Sequence, residues 1–523
     1  MCDIESYIYM PLLEETGYMP KHKYAYGPEL REYAESIADK FELRDKTMFQ
    51  AEVKDLTWDD NEKEWVVKMA KKPTGQENPY LIVRASFVIA ASGLLNCPQL
   101  PGIPGLEKFQ GHSFHTSRWD YSFTGGSPTD PSLTNLKDKK VGIIGTGATA
   151  IQAVPHLGKW AKELFVFQRT PSSVDERKNR PTDAEWWARE IEGKKGWQRK
   201  RNENFNAFIC NASPPPPTDM VADAWTEMPS FSGLIGGPAK VSMESIPAHV
   251  GTLHALDFPR QERVRRRVEQ IVKDKTVADK LKAWYPGWCK RPCFHDDYLP
   301  TFNLPNVTLV DTDGKGVDSI TENAVVVGDT EYKLDLLIFS TGFRSPGAGG
   351  SPGFRAGISI SGRDGQSLDQ KFAKGVATLH GAMSRGFPNL FWPGPLQAGA
   401  TANQMFVLDQ LARHIAYILS ESARRAAQEP QQGQKFTVEP TSEAEEEWSM
   451  QILSRAASFA GLAGCTPGYL NLEGDMDRIS GMEAQMKAAR GAIWGEGIAD
   501  YVDVIEDWRV QGNLRGLEVT ARG

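Results

Sequence analysis

The sequence predicts an α/β fold with one dinucleotide-binding unit nested inside another, Rossmann-like in both parts and carrying a helical insertion. Three observations carry this. Residues 140–144 (KVGII) read as a buried parallel strand, residues 145–150 (GTGATA) as a phosphate-binding turn, and residues 151–157 as the helix that follows. The next strand, residues 164–167, arrives at the spacing of a βαβ unit. Two further apolar strands echo each other on either side of this unit. Residues 87–91 stop at Ser92-Gly93 and residues 334–340 stop at Thr341-Gly342. A strand ending in a small residue plus glycine lets a ligand approach the backbone closely. The pairing across an intervening βαβ unit is the pattern of an inserted domain. The expected division is 1–135 for the first part of the outer domain and 136–333 for the nested domain. Its helical insertion lies at about 180–285, and 334–523 completes the outer domain with a C-terminal helical segment.

The elements follow in order. Residues 28–41 form a helix: Pro28 suits its first turn, and Leu30, Tyr33, Ala34, Ile37 and Phe41 fall on one face. Residues 49–53, 64–69 and 80–84 alternate as strands around polar turns at 59–61 and 73–78, giving a small antiparallel meander. Residues 180–285 are rich in helix formers and Trp, broken by a stiff proline loop at 214–217. Residues 426–440 read as a polar linker. A helix follows, with Ser442 as cap and Glu445 three residues on.

Composition excludes several classes. Apolar content of 40% and charged content of 24% describe a globular chain, and the net charge of -7 argues against nucleic acid or an anionic membrane as partner. No stretch approaches the roughly 18 apolar residues of a membrane span. The acidic start, with Asp3 and Glu5, is neither a signal nor a transit peptide, so the expected location is cytoplasmic. The basic run Lys194, Lys195, Arg199, Lys200 and Arg201 reads as a solvated helix face. Six scattered cysteines read as reduced thiols. Cys289, Cys293 and His295 lack a fourth ligand at zinc-like spacing, so no metal site is expected.

The nested unit carries a nicotinamide site. Gly145 permits the tight turn, Gly147 lets a pyrophosphate reach the backbone, and Ala150 lets the helix pack on the strand, with Thr146 and Ala148 between. The helix start supplies N–H donors and a partial positive charge. The second strand ends in Gln168-Arg169-Thr170, where an NAD site would carry Asp or Glu. Arg169 suits a 2′-phosphate instead, so NADPH is the expected coenzyme. One charge-assisted bond there contributes roughly 1.5–3 kcal/mol.

The run FQGHSFHTSRWD fits a fingerprint F-x-G-x-x-x-H-x-x-x-W-[P/D] at Phe109, Gly111, His115, Trp119 and Asp120. With GTGATA and QRT behind it, the chain resembles the class I Baeyer–Villiger monooxygenases. CDIESYIY (2–9), WCKRPCFHDDYLPTFNLPNVTLVDT (288–312), STGF (340–343), FPNLFWPGP (387–395) and CTPGYLNLEG (465–474) extend the resemblance to the whole length. Within the family it is most similar to fungal enzymes of secondary metabolite biosynthesis. The resemblance implies FAD and NADPH as cofactors, O₂ as co-substrate, and a small-molecule ketone converted to an ester or lactone. It implies that Arg291 is the active-site cation, oriented by Asp3, and that Lys290 joins Arg169 at the 2′-phosphate. Tyr9 and Ser92 match flavin-contacting positions, and Met405 falls where the family lines the flavin's reactive face. It places His115 and Trp119 in a structural linker that couples cofactor binding to domain rotation. From the residues alone, His115 has a lesser reading as a general base, and Arg291 a lesser reading as an interface ion pair with Asp3 or Asp296.

One departure stands out. The family opens with a G-x-G-x-x-G turn for the FAD pyrophosphate, whereas the first two glycines here are Gly17 and Gly27, neither in such a motif. The favoured expectation is that Met1 is an internal methionine of a longer protein, with a segment on the order of 80–100 residues preceding it, because a domain without its first strand exposes a sheet edge and an unfilled core. The alternatives are a flavin-free NADP- or metabolite-binding homologue with a non-redox or lost activity, and a flavin-dependent nitrogen or sulfur oxygenase. Trp119-Asp120 favours ketone oxidation over the latter.

Overall fold

The computed structural model describes residues 2–71, 80–93, 95–344, 350–428 and 435–521. The turn expected at 73–78 and part of the linker expected at 426–440 lie outside them.

The phosphate-turn strand Lys140–Ile144 is central in a five-stranded parallel sheet. Its neighbours are Glu163–Gln168 on one side and Leu336–Phe339 on the other, with Val307–Asp311 and His112–His115 at the edges. Four of the five residues of Lys140–Ile144 are buried, as continuous apolar runs in parallel sheets are. The helix Ala150–Trp160 covers one face, burying Ala150, Ile151, Val154 and Leu157.

This pairing corrects the division at residue 334. The strand expected in the outer domain pairs residue for residue with the phosphate-turn strand, Leu336 with Val141 through Phe339 with Ile144. The fingerprint strand His112–His115 joins the same sheet, although it precedes residue 136. An all-apolar strand reads alike in either sheet, so its pattern does not say which one it enters. The two segments leaving this sheet run side by side. Pro98 and Phe343 form an antiparallel bridge, Gln99 N donates to Gly342 O at 3.0 Å, and Arg344 N donates to Cys97 O at 2.9 Å.

The meander is present as Ala51–Asp59, Glu64–Lys71 and Tyr80–Ala85, antiparallel throughout, with Ser359–Ser361 added in parallel to its first strand. Residues 87–91 yield the short strand Val88–Ile89, paired in parallel with Leu390–Phe391. The insertion is helical, chiefly Trp197–Ile209 and the long Ile246–Ile271. The C-terminal part packs Gln404–Ala426, Ser442–Arg455 and Gly497–Gln511 around a core that includes Trp448, Trp494 and Tyr501.

Four expectations change in detail. The cap of Ser442–Arg455 is Thr441, whose hydroxyl accepts from Ala444 N at 3.1 Å; Glu445 is buried and pairs with Lys371 at 2.8 Å. The second half of the expected linker is the strand Phe436–Pro440, antiparallel to Leu517–Ala521. Arg201 leaves the basic run and is buried, donating to Glu5 through Nε at 2.6 Å and Nη2 at 2.8 Å. Cys289 is not a free thiol but forms a disulfide with Cys465, 176 residues away. No local pattern announces a pairing over that distance.

Candidate functional site

Gly145 holds φ at +106°, and a Cβ there would stand 2.4 Å from Ser340 O, so the neighbouring strand as well as the turn demands glycine. Gly147 has no atom within 4 Å of its Cβ direction and faces open space, the surface a diphosphate needs. Thr146 Oγ1 donates to Thr170 O at 2.9 Å, tying the turn to the end of the second strand. Ala148 is half-buried at the helix entry, where its carbonyl accepts from Gln152 Nε2. Beyond that strand, Arg169 Nη2 donates to Glu473 Oε2 at 2.9 Å, and Lys290 Nζ donates to Pro467 O at 2.7 Å. The two cations therefore meet the same segment. Burial, reinforced by the Arg169 charge, pushes Lys290 down to about 8.

The second half of the site is a cavity of about 1320 Å³. One wall is the helix Gln404–Ala426, whose Gln404, Leu408, Ile415 and Leu419 recur at helical spacing along one stripe. Another is the strand end at Ala91 and Gly93. Arg291 is the one charged residue among the described residues that line it. The guanidinium is ion-paired through Nη2 with Asp3 Oδ2. Asp3 is itself fixed through its backbone: Trp225 Nε1 donates to Asp3 O at 2.8 Å, and Arg177 Nη1 donates to the preceding carbonyl of Cys2. Asp296, the other acid that could have claimed Arg291, accepts instead from the backbone N–H groups of Arg177 and Lys178. Burial alone would lower the Arg291 pKa, but the carboxylate of Asp3 beside it holds it above the ordinary arginine value. Tyr9 ends a short helix beside this pair; burial raises its phenol pKa, with Cys2 and Asp3 adding to the rise.

Ser92 is exposed past the strand end. Met405 is half-buried between the cavity-lining Gln404 and Leu408 but is not itself in the lining. The fingerprint residues lie apart from Arg291 in packing roles. A Cβ at Gly111 would meet the Phe109 ring at 2.6 Å, which explains that pair. His115 Nδ1 bonds Ser117 Oγ at 2.8 Å, Trp119 Nε1 donates to Thr124 Oγ1 at 3.0 Å, and Asp120 accepts from Ser122 N while pairing with His112. Burial lowers the His115 pKa. Sequence reasoning missed Glu473, Trp225 and Arg177. Glu473 stands inside a motif recognised from the sequence, and its acidic side chain was the available signal.

The residues fit both dinucleotides in part. Gly147 and the two cations suit a phosphorylated nicotinamide coenzyme, and the open Gly93 beside the cavity suits the ring and chain of a flavin. A G-x-G-x-x-G turn does not occur ahead of Gly145.

No family model matches the chain. The fold is that of a flavin-dependent oxygenase. It superposes on a solved polycyclic ketone monooxygenase from Thermothelomyces thermophila with a TM-score of 0.95 at 49% identity, covering 100% of this chain and 81% of that one. OTEMO in complex with FAD and NADP matches with a TM-score of 0.70 at 25% identity, covering 99% and 90%. Among curated relatives, a chermesin D/asnovolin J monooxidase of Aspergillus novofumigatus is 50% identical over 526 residues, 99% of this chain and 79% of its own length. A polycyclic ketone monooxygenase of Thermothelomyces thermophilus is 50% identical over 529 residues, 100% of this chain and 80% of its own length. The chain belongs to the Baeyer–Villiger monooxygenase family, among the fungal FAD-binding monooxygenases.

Proposed function

We propose that the protein uses FAD, NADPH and O₂ to insert one oxygen atom beside the carbonyl of a bulky polycyclic ketone, giving an ester or lactone. The stoichiometry is ketone, O₂, NADPH and a proton to ester, NADP⁺ and water. The observation that carries this reading is a single guanidinium, paired with Asp3, on the wall of a large apolar cavity. The flavin, when bound, supplies the oxygen chemistry. Arg291 holds the developing alkoxide of the substrate: its charge persists at any working pH, and its orientation is set in advance by Asp3, so little reorganisation accompanies reaction. The apolar walls exclude water and accept fused rings. Gly145–Ala150 would seat the coenzyme diphosphate, with Arg169 and Lys290 at its 2′-phosphate and Thr170 bracing the turn. Tyr9, Ser92 and Met405 are assigned to the flavin side.

The test is Arg291→Ala. Ester formation is expected to fall by about 10²–10³ or more, while NADPH still bleaches the flavin absorbance under anaerobic conditions. An Arg291→Ala enzyme that makes ester at the parent rate rejects the assignment.

A further inference from the structure

Asp3 and Arg291 come from segments far apart in sequence, and one buried side chain holds the backbone beside both. Arg177 stands two residues past the short strand Val174–Asp175, which pairs in parallel with Cys293–Phe294. Its guanidinium donates through Nη2 to Phe294 O at 2.9 Å and through Nη1 to Cys2 O. Cys2 immediately precedes Asp3, and Phe294 lies three residues after Arg291. The fork thus spans the two chains that carry the ion pair.

Its neighbours hold the fork in turn. Arg177 N donates to Asp296 Oδ1 at 2.8 Å, and the guanidinium carbon lies 4.9 Å from the centre of the Tyr24 ring and 6.0 Å from that of Phe294. Tyr24 is fixed by its hydroxyl, which donates to Asp223 Oδ2 at 2.7 Å. Trp225 closes the arrangement: its Nε1 donates to Asp3 O at 2.8 Å, and its ring centre lies 5.0 Å from that of Phe294.

Stability alone does not account for an arginine here. Arg177 is 5% exposed, and the carbonyls of Cys2 and Phe294 that take its two side-chain hydrogen bonds are neutral. Burial lowers its pKa; the Asp3 carboxylate opposes the fall, and the like charge of Arg291 adds to it. A buried cation held by neutral groups is a costly way to fill space. Nor does the strand need it, because Cys293 N donates to Ser173 O at 3.0 Å and His295 N to Asp175 O at 2.9 Å. What the fork adds is a fixed relation between that strand and residue 2.

We propose that Arg177 is a positioning residue for the oxygenation: by binding the carbonyls of Cys2 and Phe294 with one planar fork, it sets Asp3 against Arg291, and with it the direction in which the Arg291 guanidinium faces the cavity. This rests on the reading of Arg291 as the cation that holds the substrate oxygen. A misplacement on the order of 1 Å can cost about a hundredfold in rate.

Phenylglyoxal labelling of the full chain tests the geometry without flavin or ketone. The Arg291 side chain is 34% exposed, so the reagent reaches it, whereas Arg177 is shielded. Adduct formation at residue 291 is followed by peptide mass spectrometry, with Asp3→Asn as the reference for an unpaired guanidinium. Arg177→Met and Arg177→Lys are both expected to label faster than the parent, toward the Asp3→Asn rate, because lysine keeps the charge but offers one donor atom in place of the fork. In turnover, both are expected to lose ester formation by about tenfold or more, while anaerobic reduction of flavin by NADPH keeps the parent rate. Arg177→Lys keeps the charge and most of the length, so the comparison stands if Arg177→Met does not fold. Parent-like labelling in the variants, ester formation at the parent rate in Arg177→Lys, or an equal loss in flavin reduction and ester formation overturns the proposal. A parent protein that makes no ester counts against the oxygenase reading alone, and the labelling comparison then still decides on Arg177.

Discussion

Arg169 and Glu473 form an ion pair at 2.9 Å across 304 residues of chain, so the cation assigned to the coenzyme's 2′-phosphate already has a carboxylate on it. The backbone around that acid is left-handed at Leu472, Glu473 and Gly474, and Leu472 lines the large cavity. Both partners of the pair are half-exposed, so its contribution is on the order of 0–1 kcal/mol. Glu473→Gln is expected to tighten NADP⁺ by up to about fivefold and to leave NAD⁺ unchanged in a calorimetric titration. An equal gain for both coenzymes contradicts the placement of the 2′-phosphate at Arg169.

Lys290 should impose a pH dependence on the same discrimination. Its amine is lowered from 10.5 to about 8, first by burial and then by Arg169. The ammonium exists below that value, so NADP⁺ affinity is expected to be highest at neutral pH and to fall as pH rises through about 8. NAD⁺ affinity should stay flat. Lys290→Arg keeps its charge and should abolish the fall. A fall of equal size for both coenzymes, or one that survives in Lys290→Arg, rejects the assignment.

The two glycines of the phosphate turn separate folding from binding. Gly145→Ala places a methyl 2.4 Å from Ser340 O at a φ of +106° and should lower unfolding free energy by more than about 1 kcal/mol. Gly147→Ala meets nothing in the protein, so its denaturation midpoint should match the parent while NADP⁺ binding is lost. A stable Gly147→Ala protein that binds NADP⁺ normally refutes the site.

Arg201 and Glu5 give a stability prediction far from the chemistry. Both are buried, with Lys23 Nζ a further 3.9 Å from Glu5. Arg201→Met removes both hydrogen bonds to the buried carboxylate and leaves it only the longer Lys23 contact, which should cost about 3–5 kcal/mol in urea unfolding. Glu5→Gln combined with Arg201→Met should recover much of that loss. A single variant within about 1 kcal/mol of the parent would mean that the pair carries little.

Local patterns were legible. The meander strands begin within two residues of expectation, and the phosphate turn appears where G-x-G-x-x-A stands, because alternation and glycine spacing are set by neighbours in sequence. Relations between distant segments were not. An apolar strand does not encode which sheet it joins, so residues 336–339 changed places. Thr441 and Ser442 are both good caps, and only backbone geometry chooses between them. Arg201 reads as one more surface cation until Glu5 is brought against it. At the site, the chain motif around Arg291 was legible, whereas the Trp225 and Arg177 bonds that steady Asp3 arise from tertiary approach over more than 170 residues.

The bridge between Pro98 and Phe343 gives the nested sheet a mechanical character. Both strands that connect it to the rest of the chain are stitched together where they cross, by two backbone hydrogen bonds. Two separate tethers would each swivel about their own bonds; a laced pair behaves as one ribbon, stiff against shear and compliant only to bending and twist. Any reorientation of the coenzyme-bearing half is thereby channelled along a few shared torsions, and a substitution that unlaces the ribbon alters the path of that motion without touching a single catalytic atom.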